Sequence, residues 1–221
     1  MIVHDQNNLL TSLTSQTELL LMDAKRSSEG GHYLDRIACI NKTSWQLSDI
    51  VKQLLDVARL EDGRMPVHIE SVNLSDLVRN VCEPFMLQIE GKGELVFSQA
   101  DEDVLCMADR DAFNRVLQNL ISNAMQHLSE GERAEISVAV QRVGEKVTIH
   151  VSDNGPGIPE ECQEKIFNKY YQIDPACSKY GGSLGLGLTY CRMAVQLMNG
   201  SITASNGEAG GARFTVQLPA A

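Results

Sequence analysis

The sequence predicts an antiparallel helical hairpin, expected to pair with a second copy as a dimeric four-helix bundle, followed by an α/β sandwich with one mixed sheet and helices on one face. Three observations carry this expectation. Residues 2–26 contain no Gly or Pro and place apolar side chains at helical spacing. Residues 32–61 repeat them at heptad spacing. From Met65-Pro66 onward, strand-like alternation and helix-like periodicity intermix without the regular alternation of a doubly wound sheet. The expected domains are residues 1–64 and 65–221.

In the first helix one apolar row is Val3, Leu10, Thr14, Thr17, Leu21 and Ala24, and the adjoining row is Ile2, Leu9, Leu13 and Leu20. Together they make a stripe as wide as a bundle helix needs. Ser27-Ser28-Glu29-Gly30-Gly31 breaks it. The second helix, His32 to Glu61, carries Ile37, Ile40, Ser44, Leu47, Val51, Leu54 and Ala58 at alternating steps of three and four, with Trp45 expected to pack on it. A lone hairpin has too little partner surface for such stripes, so two copies are expected to form a homodimer.

Beyond Met65-Pro66, Val67 to Val72 alternates like a strand. Asn73 is placed to cap a helix through Leu74, Leu77, Val78 and Val81, with Pro84 inside it. Glu94 to Ser98 and Val104 to Met107 are expected strands. Asp109 opens a helix through Phe113, Val116, Leu117, Leu120, Ile121 and Ala124. Glu135 to Arg142 and Lys146 to Ser152 are strands, and about 160–167 is a short helix. Gly185 to Met198 is a helix, and Ser201 to Ser205 pairs with Ala212 to Leu218 as a closing hairpin.

Composition narrows the function. A net charge of −10 argues against a nucleic-acid surface, which needs a basic stripe. The six cysteines are scattered without a C-x-x-C pair, as expected of reduced thiols in the cytoplasm and not of a metal site. No run approaches the ~18 apolar residues of a membrane span, and no signal peptide is recognisable. The chain starts abruptly within a helical pattern, so a piece of a longer protein is expected.

Four stretches carry chemistry. Asn119 and Asn123 stand at i and i+4 on one helix face. Amides on an apolar helix are costly to bury unless something binds them. A divalent cation with phosphate oxygens would do so, and so would backbone partners. Asp153-Asn154-Gly155-Pro156-Gly157-Ile158-Pro159 follows an apolar strand. Its glycines permit positive φ or close approach to a flat ligand, and Asp153 can accept from an exocyclic amine. Gly181-Gly182-Ser183-Leu184-Gly185-Leu186-Gly187-Leu188 runs into a helix, whose free N–H groups and dipole suit an anion. Near the start, His4 lies opposite the apolar stripe with Asp5 beside it and Asn8 one turn on. On the residues alone, His4 suits an exposed nucleophile or an ordinary surface position.

In this order, the stretches resemble the catalytic core of the sensor histidine kinases of two-component signalling, within the GHKL superfamily. The resemblance covers nearly the whole chain. Asn119 to Asn123 is similar to the N box, Asp153 to Gly157 to the G1 box, and Gly185 with Gly187 to the G2 box. Ile166-Phe167 with Tyr170-Tyr171 resembles the F box. Leu54 to Gly63 is similar to the usual exit from the dimerisation helices, and Val3 to Leu10 falls where the family keeps its H box.

The resemblance implies a Bergerat-type ATP site with Mg²⁺. Asp153 would read the adenine amino group, Asn123 would hold the metal, and Asn119 would help with metal or phosphate. His127 stands where a phosphate-contacting Lys or Arg is common. Gly155, Gly157, Ile158, Phe167, Tyr170, Ser183, Leu184, Leu186 and Leu188 would line the nucleotide site. Gly185 and Gly187 would meet the phosphates, and residues 168–184 would form an ATP lid. His4 would be the phosphoacceptor, Asp5 its orienting base, and Asn8 the amide that positions water for dephosphorylating a partner. A response-regulator receiver domain is the implied acceptor. Related ATPases place a glutamate one turn before the metal-binding Asn; Asn119 stands there, which favours transfer over hydrolysis. Leu9 replaces a frequent Pro and Ser183 a frequent Gly. The alternative reading is a degenerate kinase serving as a nucleotide-binding dimeric scaffold or phosphotransfer partner.

Overall fold

A computed structural model of the chain describes residues 15, 17–20, 22, 31–99, 104–126, 133–173, 184–207 and 210–221. Two compact units divide it, Met1–Asp62 and Gly63–Ala221.

In the first unit, residues 15, 17–20 and 22 are helical, and α1 spans Gly31–Glu61. Thr17 is buried, whereas Leu20 is exposed, so the two expected rows of the first helix differ in environment where described. On α1, Ser44 is buried while Ile40, Leu47 and Leu54 are 52%, 49% and 43% exposed. These three large apolar residues recur every seven positions, so one stripe of α1 is left uncovered within a single chain. Trp45, expected to pack, is 55% exposed.

The second unit is an α/β sandwich. Its main sheet has the order β2 (Gly93–Gln99), β4 (Ala134–Val143), β5 (Lys146–Asp153), β7 (Ala212–Pro219), β6 (Ser201–Asn206). The β2–β4 pair is parallel and the other pairs are antiparallel, so the sheet is mixed. Strand periodicity explains its two faces. Ile136, Val138 and Val140 of β4, Val147, Ile149 and Val151 of β5, and Phe214, Val216 and Leu218 of β7 are buried. The alternate positions Glu135, Ser137 and Gln141 are exposed. Against the apolar face pack α2 (Leu74–Ile89), α3 (Arg110–Gln126) and α4 (Gly187–Leu197). Phe113, Val116, Leu117, Leu120 and Ile121 make α3 the central helix, each fully buried. A buried side chain of this size contributes about 1.5–3 kcal/mol.

Local rules account for the helix starts. Asn73 caps α2, its Oδ1 accepting from the Asp76 N–H at 3.2 Å. Asp109 opens α3, its Oδ1 accepting from the Ala112 N–H at 2.9 Å. Pro84 lies within α2 without ending it.

Three elements depart from the sequence expectation. The strand expected over 67–72 is only β1, Glu70–Asn73. It belongs to a separate two-stranded sheet with β3 (Leu105–Ala108), which the sequence did not suggest. β3 ends at Ala108, and upstream of Glu70 the His68 N–H turns to the Asp109 carboxylate at 2.8 Å instead. The helix expected near 160–167 is two 3-10 turns, Glu160–Cys162 and Lys165–Phe167, closed by i→i+3 bonds such as Asn168 N–H to Lys165 C=O. The last helix begins at Gly187 and not at Gly185, because Gly185 has φ +65° and packs against the backbone of Tyr170 and Tyr171.

Candidate nucleotide site

The first wall of the site is the end of β5. Asp153 is its last residue and is buried. Its Oδ1 accepts from the Gly155 N–H at 2.9 Å and the Ala212 N–H at 3.1 Å. Both bonds fall on one oxygen, and no donor among the described residues reaches Oδ2. The carboxylate is thus oriented by backbone and keeps one acceptor for a ligand. The Ala212 N–H reaches it because Gly211, at φ +74°, brings β7 hard against β5. A Cβ on Gly211 would lie 1.8 Å from the Asp153 carbonyl oxygen.

The loop after Asp153 is tied down at two points. Asn154 Oδ1 accepts from the Glu135 N–H and its Nδ2 donates to the Arg133 carbonyl, both at 2.9 Å. Asn206, at the end of β6, pairs with Ile158 in both directions. Its Oδ1 accepts from the Ile158 N–H at 2.7 Å, and its Nδ2 donates to the Ile158 carbonyl at 3.0 Å. Gly157 turns here with φ +76°, and Ile158 is buried.

The second wall is where α3 meets the start of α4. Asn119 and Asn123 are half-buried on α3. A Cβ on Gly187, the first residue of α4, would lie 3.5 Å from Asn119 Oδ1. Asn119 Nδ2 is buried and has no hydrogen-bond partner. The Asn119 amide favours the thiolate of nearby Cys191, yet the geometry falls short of a hydrogen bond. Burial dominates that thiol and pushes it up to about 12, so it stays protonated at neutral pH. Next to it on α4, burial likewise raises Tyr190 to about 12, with the Arg115 guanidinium 4.3 Å over its ring. These groups are supports, not nucleophiles. A buried unpaired amide is costly, and here it lies beside free N–H groups at a helix start, a setting that suits a phosphate oxygen.

The third part is aromatic. Phe167 is buried edge-on to Phe214, with centroids 6.4 Å apart, and the Arg192 guanidinium lies 4.7 Å over its ring. Arg192 also pairs with Glu164. Tyr170 is 62% exposed, and its N–H donates to the Gly185 carbonyl at 3.2 Å. The Cys162 thiol and the Tyr171 hydroxyl meet at 3.1 Å, a bond that with partial burial raises the tyrosine pKa. Leu186 is buried, and Leu184 and Leu188 are half-buried.

The structure therefore joins Asn119 to Gly187, Tyr170 to Gly185, and Asp153 to Gly155. His4, Asp5, Asn8, His127 and Ser183 lie outside the described residues, as does most of the expected lid. Sequence reasoning missed Asn154, Asn206, Gly211 and Ala212. For the last two a signal existed, since Gly210-Gly211 directly precedes a strand and both have positive φ. Among the described residues no cluster of His, Cys, Asp and Glu could hold a metal ion. A cation here would instead meet amide and phosphate oxygens.

A mixed sheet backed by helices, with an oriented carboxylate at a strand end and an amide helix facing a glycine-led helix start, defines an ATP-binding domain. The chain belongs to the family described as histidine kinase-, DNA gyrase B-, and HSP90-like ATPase, whose profile matches residues 108–221. Within it, this is the catalytic region of a sensor histidine kinase. The chain is 33% identical to sensor protein KdpD of Escherichia coli over 216 residues, covering 98% of this chain. It spans 23% of the length of KdpD. The solved catalytic domain of histidine kinase ThkA is 32% identical, with a TM-score of 0.61, over 69% of this chain and 95% of that one. ThkA in complex with response regulator protein TrrA is similar over all of this chain and 61% of that one, at 25% identity and a TM-score of 0.67. Full-length ShkA in complex with AMPPNP shares the fold, with a TM-score of 0.82 at 22% identity, over all of this chain and 45% of that one.

Proposed function

We propose that the chain is the core of a two-component sensor histidine kinase, which phosphorylates His4 from ATP and passes the group to an aspartate of a response regulator. The observation that carries the ATP half is Asn119, whose buried Nδ2 has no partner and whose Oδ1 lies beside the first residue of α4. It fits a bound phosphate chain, and the free Oδ2 of Asp153 fits an adenine amine. Ile158, Phe167, Tyr170 and Leu186 would line the nucleotide between these two anchors. Asn123, with Asn119, would hold Mg²⁺, which neutralises phosphate charge when bound.

The transfer is an in-line displacement. A neutral ring nitrogen of His4 attacks the γ-phosphorus, the bond to the β-phosphate oxygen breaks, and ADP leaves with that electron pair. Asp5 holds the other ring N–H and stabilises the imidazolium that develops. A regulator carboxylate then attacks the phosphohistidine and frees the imidazole. Asn8 positions a water for the reverse task, hydrolysis of the regulator's aspartyl phosphate. The ThkA–TrrA complex supports a response-regulator partner. Residues 1–64 act in this reading as the dimerisation and phosphotransfer hairpin and residues 65–221 as the catalytic domain. The heptad-spaced exposure of Ile40, Leu47 and Leu54 supports a homodimeric four-helix bundle. An ATP-dependent reaction of this kind belongs in the cytoplasm. No helix among the described residues is long and apolar enough to cross a membrane.

The test is incubation with γ-labelled ATP and Mg²⁺, comparing wild type with His4→Gln. Acid-labile label on wild type alone is expected. ATP binding without label would remove the kinase assignment and leave the nucleotide-binding scaffold.

A further inference from the structure

Asn206 lies more than fifty residues past Asp153 in sequence, yet it bonds the loop that follows Asp153. Its carboxamide makes a cyclic pair with the Ile158 backbone, accepting at 2.7 Å and donating at 3.0 Å. Its Oδ1 would also lie 2.9 Å from a Cβ on Gly157, so the side chain fills the space that the glycine leaves. A few residues on, the same β6–β7 turn delivers the Ala212 N–H to Asp153 Oδ1. At the turn end of the hairpin, β7 thus holds Asp153 while β6, across the pair, holds Gly157 and Ile158. The turn closes through bonds from the Gly207 N–H to the Gly211 carbonyl and from the Gly210 N–H to the Gly207 carbonyl, both at 3.1 Å.

We propose that Asn206 is a positioning residue for the nucleotide base, fixing the Gly157–Ile158 backbone so that Asp153 and the loop together present one rigid face to a purine. The inference rests on the nucleotide reading above. Asn206 is suited to the task because its carboxamide carries acceptor and donor on two adjacent atoms, which match the N–H and C=O of one backbone residue. Without it, the Ile158 N–H and C=O must find water or shift, and the loop samples other shapes. The base is bound alike in the ground state and the transition state, so loosening its pocket raises KM and leaves kcat in place.

The experiment measures ATP binding by calorimetry and autophosphorylation rates against ATP concentration for wild type, Asn206→Ala and Ser205→Ala. Ser205 is the exposed neighbour on β6 and serves as the control. Loss of two hydrogen bonds corresponds to about a tenfold rise in Kd and KM for ATP, with kcat at saturating ATP within about twofold. A merely structural role would lower the folded fraction, and so kcat, at constant KM. That outcome, or an unchanged KM, overturns the proposal. Should Asn206→Ala fail to fold, Asn206→Ser is read in its place. A KM for ATP raised about threefold or more supports the assignment, and an unchanged one overturns it. Wild type that does not bind ATP would instead sink the nucleotide reading itself, which separates the two failures.

Discussion

Gly211→Ala should be among the most damaging single-methyl changes in the second unit. Two costs add at this position. Gly211 has φ +74°, which costs an L-residue about 1–2 kcal/mol. The new Cβ would also start 1.8 Å from the Asp153 carbonyl oxygen and 2.6 Å from its carbon, both rigid backbone atoms in a paired strand. Relieving such an overlap costs about 1–3 kcal/mol. The sum is about 2–5 kcal/mol, a large share of the roughly 5–15 kcal/mol of a typical domain. For a unit of this size it lowers Tm by about 4–20 °C. Gly144 supplies the control. It has φ +64° but no heavy atom within 4 Å of its would-be Cβ, so Gly144→Ala carries the backbone cost alone. Thermal denaturation followed by circular dichroism compares the two. The Gly211 variant should melt well below the Gly144 variant and bind ATP more weakly, since the displaced turn removes the Ala212 N–H from Asp153. Equal melting of the two variants would refute the claim that this close approach is rigid.

Asp153→Asn keeps an oxygen for the Gly155 and Ala212 N–H groups but replaces the free carboxylate oxygen with a donor. Its Tm should stay near wild type, while ATP affinity falls about 10- to 100-fold, the scale of a hydrogen bond to a charged group. Calorimetry showing unchanged affinity would remove Asp153 from base recognition. His150 makes a pH prediction. Burial first, and then the Arg213 charge, lower its pKa below 6.5, and its Nδ1 meets Thr215 Oγ1 at 3.0 Å. The folded state therefore prefers the neutral ring. Its contribution is complete above pH 6.5 and is lost as pH falls through the lowered folded value. Tm at pH 5 against pH 7.5 should drop more for wild type than for His150→Gln; parallel drops would show that this histidine is not the source.

What was legible in the sequence was local. Asn73 and Asp109 cap the helices they precede because an oxygen on a short side chain reaches an N–H three residues on, a relation contained in four residues. The α3 stripe, the β4–β5 turn and the β6–β7 pairing follow from period and glycine placement. Relations between distant residues were not legible. The length of β1 depends on where β3 ends, and the start of α4 depends on the backbone of Tyr170 and Tyr171. Asn206 has no neighbour in sequence that signals its bond to Ile158. Of the candidate site, Asp153, Asn119 and Gly187 were each visible as residue types; their supports were not, because backbone donors such as the Ala212 N–H carry no residue-type signature.

What stands one turn before Asn123 on α3 bears on the reaction. It is Asn119, an amide that donates and accepts hydrogen bonds but does not take a proton from water near neutral pH. Its Nδ2 is buried without a hydrogen-bond partner, and its Oδ1 lies near the first residue of α4. Cys191 and Tyr190, the titratable neighbours on α4, are held protonated by burial and offer no base either. Under the proposed function, such a wall would hold a phosphate chain, with no base among these described residues to activate the solvent around it. That is the property a transferase needs. Water is a poor nucleophile unless deprotonated, whereas neutral imidazole attacks without assistance, so the wall leaves the γ-phosphoryl group to whichever histidine is brought in line.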